Sequence, residues 1–226
     1  MLGAGDPAQL APVVRKGVEA HLENIERTLE HSDYFEAGFP CWSSVPYLLR
    51  RFAGRVRVVH LLRHPVATAY SWWSHGAYQP QLLPRLPQKI LLHPGDAGVA
   101  FPEYAQRWAH LHPVECSLYY WTEVNAFARS LEKTAGVPWL RLDHSDLFSE
   151  AGLRRLCAFL GAEYSPRLRA NAGRVIDEHH FFVSSWIEPD FVSHHPTTVD
   201  LARQLGYDAL AVDAAALRRR FAPFLS

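Results

Sequence analysis

Arg63 and Ser71 are the residues whose types and spacing best suit a defined chemistry, the binding of a phosphate group. They bracket the stretch Arg55-Val56-Arg57-Val58-Val59-His60-Leu61-Leu62-Arg63-His64-Pro65-Val66-Ala67-Thr68-Ala69-Tyr70-Ser71. A forked guanidinium offers paired, charge-assisted donors to a phosphate, and a nearby hydroxyl adds another. Glu36 is a candidate general base, although a strand-end glutamate is more often structural or solvated. His75, on the same helical face as Ser71, is a second candidate base. His110 with His112, His179-His180 and His194-His195 lack the accompanying cysteines or carboxylates of a structural metal site, so no metal is expected there.

An arginine and a serine act together only if something positions them. Residues up to Leu62 form a near-continuous apolar run, the pattern of a strand buried on both faces of a parallel sheet. Pro65 forbids further pairing but suits the first position of a helix. Beyond it, Val66, Tyr70 and Trp73 share one helical face, while His64, Thr68, Ser71 and His75 share another. Arg63 therefore stands at the carboxyl end of a strand, just before a helix N-terminus. Open α/β sheets bind ligands at that edge, and free first-turn amides there favour anions.

Arg63-His64-Pro65 followed by Ser71 resembles the sulfotransferase signature in which a strand ends in Arg-x-Pro and a serine follows eight residues after the arginine. Val137–Pro166 resembles the family's later strand, its Asp-Leu turn and a helix ending Phe-Leu-Gly. These are Asp146-Leu147 and Phe159-Leu160-Gly161 here, with His144-Ser145 where the family has Tyr-Glu. The resemblance covers roughly residues 33–75 and 115–166. It implies an α/β fold, a small, mainly parallel sheet flanked by helices, of the P-loop-nucleotide-hydrolase-like sulfotransferase type. It implies that Arg63 and Ser71 hold the 3′-phosphate of 3′-phosphoadenosine 5′-phosphosulfate. Sulfo transfer to a hydroxyl or amine of a small-molecule or carbohydrate acceptor would follow.

One family feature is missing. The Gly-rich loop that cradles the 5′-phosphosulfate should follow the central strand. Gly3-Ala4-Gly5-Asp6 has glycines, but no strand precedes it, no cation accompanies it and its aspartate repels anions. The lysines Lys16, Lys89 and Lys133 follow no Gly-rich turn. The domain is thus N-terminally incomplete by comparison, either the C-terminal part of a longer enzyme or a member that has lost the loop. The competing reading is a catalytically inactive module binding a nucleotide or a partner.

Composition narrows the classes. The chain has 226 residues, 48% hydrophobic and 20% charged, which fits a single globular domain over 1–226. Its 23 basic and 23 acidic side chains cancel, so no global field recruits nucleic acid or an anionic membrane. Cys41, Cys116 and Cys157 are few and scattered, as in a reducing, cytoplasmic setting.

Element expectations follow from periodicity. A helix is expected from about Pro7 to His31, with Leu10, Val14, Val18, Leu22, Ile25 and Leu29 inward. A short strand over Asp33–Pro40 should precede a helix capped by Ser43 or Ser44 and running to about Phe52, making a strand–helix–strand unit with the central strand. Residues 79–101, rich in proline, form a long loop, either a functional lid or a surface insertion. Helices are expected at about 101–112 and 117–134, an edge strand at 137–142, a helix from Ser149 to Gly161, and a last one around 214–221.

Overall fold

The computed structural model describes residues 11–37, 39–80, 91–172 and 185–223. They fall into two compact units. The first ends at Val56 and takes in Asp96–Val99, and the second holds Arg57–Gly95 and the chain from Ala100.

In the first unit, α1 (Pro12–Leu29) packs Leu22 and Ile25 against Phe52, with Val18, Leu29, Tyr34, Tyr47 and Leu48 around them. Val14, expected inward, is exposed. The expected strand at Asp33–Pro40 is absent: 33–37 have no regular structure, and Phe39–Ser44 form a 3₁₀ turn. A strand needs a neighbour and a buried face, and Phe35 is 62% exposed. With it goes the expected strand–helix–strand unit. The helix α2 (Val45–Arg51) has Ser44 at its N-cap position, but the Ser44 side chain makes no capping bond.

The second unit carries the sheet. β1 (Val58–Leu62) pairs in parallel with β2 (Trp139–Asp143), from Val58↔Trp139 to Leu62↔Asp143. Pro138 lies just ahead of β2, where its missing N–H costs no ladder bond, and its carbonyl accepts the Val58 N–H. Among the described residues these are the only strands of the sheet. Leu61 is 47% exposed, so β1 is not buried on both faces as expected. One neighbour strand and a partial helical layer are too little to cover it.

Helices provide most of the core. α3 (Pro65–Ser74) buries Val66, Ala69, Tyr70 and Trp73, while Thr68 and Ser71 stay half-buried, in agreement with the two faces read from sequence. They pack against Val114, Leu118 and Trp121 of α4 (Pro113–Thr134), Leu201 and Ala202 of α7 (Pro196–Gln204), and Leu217 and Phe221 of α8 (Ala214–Phe221). His60 Nε2 lies 2.9 Å from Asn125 Oδ1, tying β1 to α4.

α4 starts four residues earlier than its apolar pattern because His112 caps it. The ring Nδ1 accepts the Val114 N–H at 3.2 Å, and Glu115 returns a bond to the His112 N–H at 2.9 Å. The helix expected at 101–112 is instead two 3₁₀ turns, Pro102–Gln106 and Trp108–His110. Fully buried Glu123 accepts the amides of Ala100 and Phe101, each at 2.8 Å, which fixes the entry to the first turn.

After β2, residues 144–148 form a 3₁₀ turn, and α5 (Glu150–Leu160) follows with the expected ends. Ser149 accepts the Gly152 N–H at 3.0 Å, and Gly161 closes the helix in the left-handed region at φ 75°. The helix α6 (Pro166–Ala172) is short and has no buried residue. Among the described residues no helix is long and apolar enough to cross a membrane.

Gly152 fixes how closely α5 approaches the 144–148 turn. A Cβ there would stand 2.2 Å from the Asp146 carbonyl oxygen and 2.6 Å from its Cβ. Alanine gains up to about 1 kcal/mol in helix propensity, but backbone overlap costs about 1–3 kcal/mol. Gly152→Ala should therefore lower stability in urea titration. A stabilised variant would show that the turn yields freely.

Candidate functional site

The β1–β2 register decides which side chains meet at the carboxyl edge of the sheet. Since Leu62 pairs with Asp143, the next residues off the two strands are Arg63 and His144, side by side. The Arg63 carbonyl accepts the indole N–H of buried Trp121 at 3.0 Å, so α4 fixes the peptide that leaves β1. His64 is the N-cap of α3 and Pro65 its first residue, as the sequence predicts. His64 Nε2 lies 3.1 Å from the Asp208 carbonyl, which can only accept, so Nε2 carries the proton. The His64 ring meets Tyr207 edge-on, and the two hold the 207–208 turn against this corner.

Arg220, exposed on α8, acts on this corner through its charge, and the adjacent Phe221 ring stacks on Tyr70 of α3 at 6.2 Å. Burial, and then the Arg220 charge, hold Arg63 below the ordinary arginine range. His144 is pulled below its ordinary value by burial and by Arg63, with Asp143 opposing and Arg220 adding to the fall. Arg63, Arg220 and His144 therefore share one electrostatic neighbourhood. Among the described residues, the Arg63 and Arg220 guanidinium groups have no carboxylate partner.

The nearest acid is committed elsewhere. Asp143 accepts the Ser145 N–H at 2.8 Å, the Ser145 hydroxyl and the Tyr207 hydroxyl. Burial works against its ionised form, but these donors outweigh it and hold the carboxyl below the usual range. The same bond and the same charge push the Tyr207 phenol upward, after burial. Asp146 accepts the Asp143 N–H at 3.0 Å and is paired with Arg155 at 3.1 Å.

The sequence candidates divide. Arg63 stands where expected. Ser71 lies on the half-buried face of α3, about 10 Å along the helix from His64 at 1.5 Å per residue. One phosphate reaches both only if the Arg63 side chain folds back along α3. Glu36 belongs to the first unit, outside any strand, and accepts the Tyr34 hydroxyl at 2.7 Å with His21 at 3.8 Å. His75 is the C-cap residue of α3.

His112 is a helix cap. His195 is fully buried, with Nε2 3.0 Å from Glu115 and Nδ1 3.1 Å from the Tyr104 hydroxyl and 3.0 Å from Arg107. Both histidines are occupied in structure. His179-His180, Gly3-Ala4-Gly5, Lys89 and the proline-rich residues 81–90 lie outside the described residues. Among the described residues no group of three His, Cys, Asp or Glu side chains could hold a metal ion.

Sequence reasoning missed Arg220, His144, Asp143 and Tyr207 as parts of this corner. The run Arg218-Arg219-Arg220 was the available signal for the first, and His144-Ser145 in place of the family's Tyr-Glu for the second. No family model matches the chain, and neither a curated protein nor a solved structure does so. The observed class is an α/β protein with a small parallel sheet flanked by helices and a cationic corner at its carboxyl edge.

The depressed Asp143 carboxyl stabilises the fold above its unfolded pKa, and that contribution is lost as pH falls through its lower folded value. Tyr207→Phe removes one donor and should cost about 1 kcal/mol near pH 7, reduced from the range for charged hydrogen bonds because Asp143 is partly solvated. In urea titrations the gap from wild type should narrow as pH falls through the lowered folded value of the carboxyl and it becomes protonated. A gap unchanged with pH would mean that Tyr207 acts through packing alone.

Proposed function

We propose that the chain is a sulfotransferase-like protein that binds the 3′-phosphate of a 3′-phosphoadenosine nucleotide at Arg63. The observation that carries this reading is a half-buried strand-end arginine with no carboxylate partner among the described residues, which also feels the charge of the exposed Arg220. Burial and the Arg220 charge both disfavour the charged form of Arg63, and an oxyanion at Arg63 offsets them while accepting charge-assisted bonds. The first turn of α3 adds a favourable helix end, with Pro65 in place of a first amide. The match to Arg-x-Pro with a later serine supports 3′-phosphoadenosine 5′-phosphosulfate as the donor. Its sulfo group would pass to a hydroxyl or amine of a small-molecule or carbohydrate acceptor. Cys116 and Cys157, free and buried, accord with a cytoplasmic protein.

Gripping the 3′ end differs from catalysing transfer. Charge changes in sulfo transfer fall on the bridging oxygen and the leaving phosphate, and donors aimed there accelerate the reaction. Arg63 holds the far end of the nucleotide equally in ground and transition states, which contributes affinity and no rate. Among the described residues two turns leave the sheet, at Arg63-His64-Pro65 and at His144–Phe148, and neither is Gly-rich. That favours, as the second reading, a nucleotide-binding module of low or no activity.

Calorimetry with 3′-phosphoadenosine 5′-phosphate, run beside a transfer assay with labelled donor, tests both readings. Arg63→Ala should weaken binding by about 1.5–3 kcal/mol, some tenfold to a hundredfold. Ser71→Ala should cost less, since it removes a neutral donor further along α3. Equal binding by wild type and Arg63→Ala would overturn the assignment. Robust transfer by this chain would refute the module reading and establish an enzyme whose phosphosulfate donors lie elsewhere than in these turns.

A further inference from the structure

His144 and His64 are the two imidazoles of this corner, the side-chain type whose charge can change near neutral pH, and His64 is committed to the Asp208 carbonyl. The parallel register sets His144 beside Arg63, and it sits on the 3₁₀ turn that Asp143 and Asp146 pin through reciprocal caps. Its ring rests edge-on against Phe148 at 5.1 Å and is half-buried, so it is held in place without being sealed from a ligand.

The charged and titratable groups around His144 come from every side of the corner. Arg63 stands beside it at the end of β1, His64 follows at the N-cap of α3 bonded to the Asp208 carbonyl, and the exposed Arg220 of α8 adds its positive charge. Asp143 faces His144 from the end of β2, with its oxygens bonded to Ser145 and to Tyr207 of the α7–α8 connection. Asp146 lies on the same turn, paired with Arg155 of α5. Among the described residues Arg63 and Arg220 have no carboxylate partner and Asp143 is already committed, so the corner opposes a third positive charge. A bound oxyanion reverses that balance, because it supplies the negative charge that the corner lacks.

We propose that His144 is a proton-gated ligand of the Arg63 anion site, taking up a proton as a tetrahedral oxyanion binds, so that the site holds such anions more tightly as the pH falls. This rests on the anion-binding reading above and adds its regulation. The sign follows from linkage. In the empty corner His144 gives up its proton below its ordinary pH, and with an anion bound it keeps the proton to a higher pH. Between those two values the bound state holds one more proton, so binding weakens as pH rises. The proton comes from solvent and bonds to a ring nitrogen, and no covalent bond to the anion forms.

Inorganic sulfate is the suitable probe, because its charge stays the same across the range, whereas a phosphate monoester titrates near about pH 6. Calorimetry from about pH 5.5 to about pH 8 should show sulfate affinity falling, by at most about tenfold per unit for one proton. In the carbon-labelled protein, saturating sulfate should raise the midpoint at which the His144 ring signal titrates. His144→Gln should keep sulfate binding and lose this pH dependence, whereas Arg63→Ala should lose binding at every pH. Sulfate that binds through Arg63 without moving the His144 midpoint would overturn this inference and leave the anion site standing. A pH dependence that survives in His144→Gln would do the same. If the wild-type chain binds no sulfate even at the acid end, the anion-binding reading falls and the inference with it.

Discussion

The parallel pairing of β1 with β2 is the constraint from which the cationic corner follows. Parallel strands must be joined by a long crossover, and here the chain between Leu62 and Trp139 includes α3, two 3₁₀ turns and α4. Both strands therefore end at the same edge, and the two segments leaving them start side by side. The pairing of Leu62 with Asp143 puts Arg63 next to His144. A slip of one residue would turn alternate side chains to the opposite face and separate those two. The Pro138 carbonyl extends the pairing at the Val58 end, and the Trp121 indole ties the other end of β1 to α4.

Holding like charges together has a cost that the rest of the fold must meet. Arg63 is partly desolvated beside Arg220, and both effects disfavour its charged form. The helices α3, α4, α7 and α8 supply the compensating burial through the cluster around Tyr70, whose ring contacts Trp73, Trp186, Phe191 and Phe221. Asp143 could have quenched the corner, yet Ser145 and Tyr207 satisfy it first. The Arg63 charge is thus held half-buried at the end of β1, while Arg220 adds its charge from the exposed face of α8. Such surplus is what separates a site from an ordinary structural ion-pair network.

Features set by short-range rules were legible in the sequence. Pro65 after an apolar run marks the strand-to-helix switch, and the polar face of α3 follows from its periodicity. Ser149 and Gly161 bracket α5 with ordinary capping chemistry. Features set by tertiary partners were not. Asp33–Pro40 has strand-like residues but no strand beside it. His112 caps α4 through a ring nitrogen that cap statistics do not anticipate. The expected 101–112 helix yields to the Glu123 carboxylate, which takes the amides of Ala100 and Phe101. Arg220 lies so far from Arg63 in sequence that only the packing of α8 on α3 could reveal their proximity.

The most direct test of the central claim is a crystal structure of the chain soaked in selenate, with the tetrahedral anion located by its anomalous scattering. A selenate within hydrogen-bonding distance of both the Arg63 and Arg220 guanidinium groups, beside His144 and the first turn of α3, is the predicted result. Selenate bound elsewhere, with this corner empty and Arg63 turned to a carboxylate, would contradict the account.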